Sequence, residues 1–272
     1  MKNLLVVLSV ALVVLNQGCG DKDDRPVVVS TTANIAAIVK AVAGDRVRNI
    51  TLAPAGMCPG HFDIRPSHVA AAAGADLLIR QGWEVWFDDL ERALPSAPAR
   101  TVTAATQGNW MLPDVHRKAV AEITGLLSEL DTAWADTFRL RADRYLARLD
   151  STAKEARALI AAARTRFPDE NLPVAMAAEH QAPLMRWLGF RVAATYGRPE
   201  EFTASELTRL AKVGTDSSVG IVVDNLQSGP DAGRPLADAL GARQVNLSNF
   251  PLDDDYPATL VDNARKVTRL FE

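Results

Sequence analysis

The stretch that decides the fold is "TAWADTFRLRADRYLARLDSTAKEARALIAAARTRF", residues 132–167. It contains neither glycine nor proline. Trp134, Phe138, Ala142, Tyr145, Leu149, Ala153, Ala156, Ile160 and Ala163 recur at three-to-four spacing, and charges fill the other faces. That period is the mark of an α-helix with one apolar stripe. At 1.5 Å per residue the helix is roughly 50 Å long, which exceeds the reach of one small lobe. A coiled coil is the plain alternative. The alanine-rich seam and the patterns on either side favour a helix packed along two lobes instead.

Those flanking patterns are alternations of strand and helix. Before the long helix, "VVVSTT" (27–32), "RVRNITLA" (46–53), "DLLIR" (76–80) and "RTVTAA" (100–105) read as strands. Between them lie a helix closed by Gly44, a short helix "PSHVAAAAG" (66–74) and a helix over 83–94 ended by Pro95. After "FPDENLP" the alternation resumes. The strands there are 174–179, 190–195, 219–224 and 242–248, and a last helix runs from about Tyr256 to Phe271. Alternation of this kind implies parallel sheets covered on both faces. The expected fold class is α/β, with two lobes, each a mostly parallel sheet flanked by helices, joined by one long rigid helix. The expected boundaries are 27–130 for the N-terminal lobe, 131–167 for the linking helix and 168–272 for the C-terminal lobe.

The N-terminus predicts export. Lys2, a short apolar run from Leu4 to Leu15 and small residues before a cleavage point form a signal peptide over 1–19. Gly18 followed by Cys19 and a polar stretch looks like the lipobox of a bacterial lipoprotein, with Cys19 lipidated and residues 20–26 as a tether. The alternatives are a plain cleaved signal and a single N-terminal anchor. Export places the chain in an oxidising compartment. With Cys19 modified, Cys58 is left without a partner, which calls for burial, intermolecular pairing or a metal. The net charge of −3 gives no basic footprint for nucleic acid.

In open α/β sheets, ligands bind beyond the carboxyl ends of the strands. "CPGH" (58–61) follows one such end, and "EHQ" (179–181) follows another in the second half. His61 and His180 therefore stand at equivalent places of the two lobes. Cys58, three residues from His61, could chelate the same ion. A thiolate with imidazoles suits zinc, whereas a hard cation wants oxygens. Each residue also has a plain structural use: His61 in a tight turn, His180 as a helix cap, Cys58 as a small packing group. Glu179, Asp224 and Asn249 are further candidate ligands, or caps for the helices that follow. His68 reads as surface or packing, and His116 as a first-turn helix residue. There is no P-loop, GxSxG elbow, HExxH or EF-hand loop.

The segment from Val27 to Gly82, with "GDRV" (44–47), His61, Phe62 and "RPSHV" (65–69), resembles the zinc/manganese substrate-binding proteins of ATP-binding cassette importers, the cluster A-I family. The resemblance extends over nearly all of the mature chain. "EHQAPLMRWLGF" is similar to the family segment that bears its third ligand, which puts His180 at that place. Two positions depart. The family's "P-H-x-W-L-x-P" segment is here "QGNWMLP" (107–113), with Gly108 in place of the histidine and Asn109 beside it. A late aspartate ligand is replaced by "LSNFP", with Asn249 nearby.

The resemblance implies a receptor that captures a transition-metal ion between its lobes and delivers it to a membrane permease powered by a cytoplasmic ATPase. The expected metal ligands are Cys58, His61 and His180, with Glu179, Asp224, Asn249 and Asn109 as additional ligands or their supports. The substrate is expected to be Zn²⁺ rather than Mn²⁺, and the protein an exported, lipid-anchored monomer and not an enzyme. A zinc-dependent hydrolase with three ligands and an open water position is the rival from another class. A receptor for a metal chelate is a second alternative, since the missing histidine leaves room.

Overall fold

The computed structural model describes residues 23–57, 60, 62–95, 98, 100–167 and 171–272. The expected signal peptide, Cys19, Cys58 and His61 lie outside the described residues.

The N-terminal lobe holds β1 (Val27–Thr32), β2 (Arg48–Ala53), β3 (Leu77–Arg80) and β4 (Thr101–Thr103) in the order β2-β1-β3-β4, all parallel. The C-terminal lobe repeats that order with β5 (Val174–Ala178), β6 (Val192–Tyr196), β7 (Val219–Asn225) and β8 (Arg243–Leu247), arranged β6-β5-β7-β8. Strand side chains alternate between faces, so each sheet feeds two cores. Val28, Leu77 and Ile79 face helices α1 (Ala33–Ala43) and α4 (Pro113–Leu130). Val29 and Leu78 face α2 (Pro66–Ala73) and α3 (Phe87–Ala93). In the second lobe Ile221 and Val223 face α6 (Ala182–Trp187) and α9 (Tyr256–Arg269). Met176 and Val222 face α7 (Ala204–Asp216) and α8 (Arg234–Leu240).

The long helix is α5, Ala135–Arg164, 30 residues preceded by a 3-10 turn over Thr132–Trp134. Phe138, Ala142 and Tyr145 of its first half are buried in the N-terminal core. Leu149, Ala156 and Ile160 of its second half are buried in the C-terminal core. The strands and most helices fall within two or three residues of the sequence reading. Two places differ. The sequence reading assigns no element to 106–130 beyond a first turn at His116, whereas α4 spans 18 residues there. The expected helix over 83–94 begins only at Phe87. The reason is Glu84, whose buried carboxylate accepts the amide hydrogens of Gln81 (2.7 Å) and Gly82 (2.6 Å) and the hydroxyl of Thr31 (2.5 Å). That turn occupies 81–86 and leaves Trp83 outside, 47% exposed.

Behind the junction of the lobes sits His116, fully buried between α4, α5 and α9. Its Nδ1 donates to the Trp110 carbonyl at 3.1 Å, which leaves Nε2 to accept the Tyr145 hydroxyl at 2.9 Å. Its ring stacks on Tyr256 with centroids 3.9 Å apart. The Tyr256 hydroxyl in turn donates to the Met111 carbonyl at 2.9 Å. Trp110 belongs to the N-terminal core and Met111 to the C-terminal one, so this cluster fixes the chain where it passes between lobes. His68, by contrast, stacks on Phe62 at 4.8 Å and accepts the Arg65 amide hydrogen at 3.1 Å, a packing and capping role.

Burial holds the His116 imidazole neutral and drops its pKa from 6.5 to about 3. The unfolded chain therefore takes up this proton first. Stability is intact above the unfolded value and is lost as pH falls from there toward the folded value. Between pH 7 and pH 5 the loss is about 2 kcal/mol, or roughly 4–8 °C in Tm. Melting curves of wild type and His116→Asn at the two pH values check this, and the pH-dependent drop is expected to shrink in the variant. Tyr256→Phe leaves the Met111 carbonyl unpaired and is expected to cost about 1–3 kcal/mol in denaturant unfolding.

Candidate functional site

A cleft of about 330 Å³ lies between the lobes. Parallel strands all point their carboxyl ends the same way, so the loops that follow them converge. Every one of the eight strands sends a residue from its following segment to the cleft wall. Asn34, Gln81 and Asn109 come from the N-terminal lobe, and His180, Arg198 and Gln227 from the C-terminal lobe. The order of strands reverses beside β1 and beside β5, and the residues just after those two strands include Asn34 and His180.

The His180 side chain is exposed in the cleft, and the backbone around it is held firmly. Asn109 Nδ2 donates to the His180 carbonyl at 2.8 Å across the lobe boundary. The next residue, Gln181, is buried and donates from Nε2 to the Leu247 carbonyl at 2.8 Å. Asn263 of α9 clamps the end of β8: its Oδ1 accepts the Ser248 amide hydrogen at 3.0 Å and its Nδ2 donates to the Ser248 carbonyl at 2.9 Å. A second bridge joins the lobes, because Gln227 Nε2 donates to the Ala55 carbonyl at 3.0 Å. Gln227 Oε1 accepts the Asn249 amide hydrogen at 2.9 Å.

These bonds sort the candidates read from the sequence. Glu179 and His180 line the cleft side by side and are exposed. Asn249 lines it too, with its Oδ1 approached by Asn109 Nδ2 at 3.4 Å. Asn109 spends its own Oδ1 on the Met111 amide hydrogen at 2.8 Å, which makes it a tie between lobes. Asp224 stands behind the cleft instead of on its wall. It is buried, absent from the cleft wall, and both its oxygens are engaged. Oδ1 accepts the Tyr196 hydroxyl at 2.6 Å and the Gly233 amide hydrogen at 2.7 Å, and Oδ2 accepts from Gln244. Burial raises the Asp224 pKa, partly offset by those bonds. It anchors the start of α8 in the way helix-capping carboxylates do.

Cys58 and His61 lie outside the described residues. Their neighbours are informative: Gly60, between them in sequence, lines the cleft, and Phe62 is buried against Trp86 with centroids 4.5 Å apart. Among the described residues no three His, Cys, Asp or Glu side chains stand together as a metal site.

The sequence reading missed Asn34, Gln81, Arg198 and Gln227. The strand-end rule finds all four when it is applied to every strand instead of to the two followed by histidines. Gln81 is oriented by the Thr32 hydroxyl, which donates to its Oε1 at 2.8 Å. Among the described residues no helix is long and apolar enough to cross a membrane.

Residues 28–270 match the model of the family described as zinc-uptake complex component A periplasmic, ZnuA. The manganese ABC transporter substrate-binding lipoprotein PsaA of Streptococcus pneumoniae is 27% identical over 113 residues, 39% of this chain and 36% of PsaA. The iron ABC transporter substrate-binding lipoprotein MtsA of Streptococcus pyogenes serotype M1 is 28% identical over 110 residues, 37% of this chain and 36% of MtsA. The matched stretch is thus little more than a third of either relative. A crystal structure of ZnuA superposes with a TM-score of 0.75 at 18% identity, over 92% of this chain and 100% of that one. A manganese-bound periplasmic metal-binding protein from Candidatus Liberibacter asiaticus gives 0.73 at 16% identity, over 91% of this chain and 100% of that one. At such identities the structures speak for the fold, two four-stranded parallel lobes joined by a long helix. The family model, matched along almost the whole of both lobes, decides the rest: this chain belongs to the ZnuA family, which consists of substrate-binding proteins of ABC importers and not of enzymes.

Proposed function

We propose that the protein is an exported receptor, anchored through a lipidated Cys19, that captures a transition-metal ion in the inter-lobe cleft and delivers it to an ABC permease and its ATPase. The zinc-dependent hydrolase is set aside by family membership. The observation that carries the reading is His180, exposed in a cleft built from the carboxyl ends of both sheets, with Gly60 on the facing wall. Cys58 and His61, on either side of Gly60 in sequence, supply the N-terminal lobe's donors in this reading. A thiolate and two imidazoles favour Zn²⁺ over Mn²⁺, the metal in the name of one relative, and over iron, the metal in that of another. Glu179 is the nearest candidate for a fourth donor. The working molecule in this reading is a monomer, since both walls of the cleft come from one chain.

Ligation from both walls turns metal affinity into a preference for the closed arrangement. Opening has to break the Gln227–Ala55 and Asn109–His180 bonds while α5 keeps both cores joined, so the change on release is small.

Metal analysis and zinc titration of the purified chain test the ligand set. His180→Ala is expected to weaken zinc binding by about 100-fold or more, and Cys58→Ser by less and with a shift in preference toward manganese. Undiminished zinc in His180→Ala would end the proposal. Ligands have to shed protons to bind, so zinc affinity is expected to fall between pH 7.5 and pH 5. Equal affinities would argue against these ligands. Cys19→Ala is expected to move the protein from the membrane fraction to the soluble exported fraction.

A further inference from the structure

The cleft contains a charge that a bare cation does not want. Arg198, in the segment after β6, lines it within the C-terminal lobe. Its guanidinium comes against Gly60 on the opposite wall, where a β-carbon would collide with it. Among the described residues no carboxylate pairs with Arg198 and its side chain donates no hydrogen bond. An arginine stays charged at any relevant pH and presents a planar fork that matches a carboxylate in two parallel bonds. Placed in a metal-binding cleft without a partner, it repels a divalent ion and waits for an anion.

A second observation points the same way. Asn34, on the N-terminal wall, is only 5% exposed, and its Oδ1 has no hydrogen-bond partner. A buried acceptor left unpaired is unfavourable, and a ligand N–H would relieve it. Size is the third. A cleft of about 330 Å³ would hold roughly ten waters around a single ion, at ~30 Å³ each. It is also at the lower end of the volumes that take small organic ligands, about 300–1,000 Å³. Trp83 adds a half-exposed indole at its wall.

We propose that the ion enters this cleft as a complex with a small amino-carboxylate, the carboxylate received by Arg198 and a coordinated amine N–H by Asn34 Oδ1. This rests on the metal-capture reading above and names the form of its substrate. His180, exposed in the same cleft, takes the metal side of the complex. The chelator supplies the donors that Gly108 and Asn249 do not.

Calorimetric titration of the full chain at pH 7.5 separates the two ideas. The probes are Zn²⁺ alone, Zn²⁺ with excess L-histidine, Zn²⁺ with excess histamine, and L-histidine alone. Histamine keeps the imidazole and amine but lacks the carboxylate. The histidine complex is expected to bind at least tenfold more tightly than the histamine complex. Arg198→Gln is expected to erase that ratio, Arg198→Lys to keep part of it, and both to leave the melting temperature and the affinity for Zn²⁺ alone unchanged or improved. Equal binding of the two complexes by wild type, or an unaltered ratio in Arg198→Gln, overturns the inference. If Zn²⁺ alone binds more tightly than either complex, the chelate falls and metal capture stands. If nothing binds, or if histidine binds as tightly without zinc as with it, metal capture falls and the inference with it.

Discussion

One helix serves two cores. The first half of α5 gives Phe138, Ala142 and Tyr145 to the N-terminal lobe, and the second half gives Leu149, Ala156 and Ile160 to the C-terminal lobe. Neither half of the helix can leave its core without giving up large buried side chains, and the unbroken helix between them ties the two cores together. A fully buried leucine or phenylalanine is worth about 1.5–3 kcal/mol, so this shared burial outweighs the exposed ion pairs that also join α5 to α9. Those pairs, Arg148–Asp255 at 2.7 Å and Arg265–Glu155 at 2.6 Å, lie at the surface. The fixed relation of the lobes is what makes a cleft with a definite width.

The polar cluster behind the cleft refines that relation. His116 and Tyr256 donate to the carbonyls of Trp110 and Met111, two successive residues assigned to different cores, and the Tyr145 hydroxyl donates to the other nitrogen of His116. Immediately before Trp110 stands Asn109, whose amide holds the His180 carbonyl. The buried cluster and the backbone of His180 are therefore joined through the main chain at Asn109–Met111 and the hydrogen bonds on either side of it. Burial of the aromatic rings behind the cleft sets where a ligand atom in front of it can be.

Much of this was legible in the sequence. The stripe from Trp134 to Ala163 gave both the helix and its division between lobes, because helical period and burial are both local properties. Apolar strands bounded by Gly and Pro were equally plain. Helix α3 was placed too early because the inward turn of Glu84 depends on amides that only the fold brings to it. Arg198 and Asn34 carried no signal as residue types, since an arginine after a strand and an asparagine in a first helical turn are common. What marks them is the lack of a partner among the described residues, which is a property of the assembled cleft. Asp224 shows the converse. Its position at a strand end suggested a ligand, and packing turned it into an anchor for α8 through Tyr196, Gly233 and Gln244.

Gly108 takes a φ of 104°, in the region that glycine enters freely and other residues enter only under strain. The absence of an imidazole there is thus written into the path of the main chain and not only into the side chain. Reinstalling one would have to bend the loop that leads into Trp110, and with it the crossing that the two tyrosines secure. Placing a histidine at 108 by one substitution would therefore strain the main chain there and disturb the cleft wall.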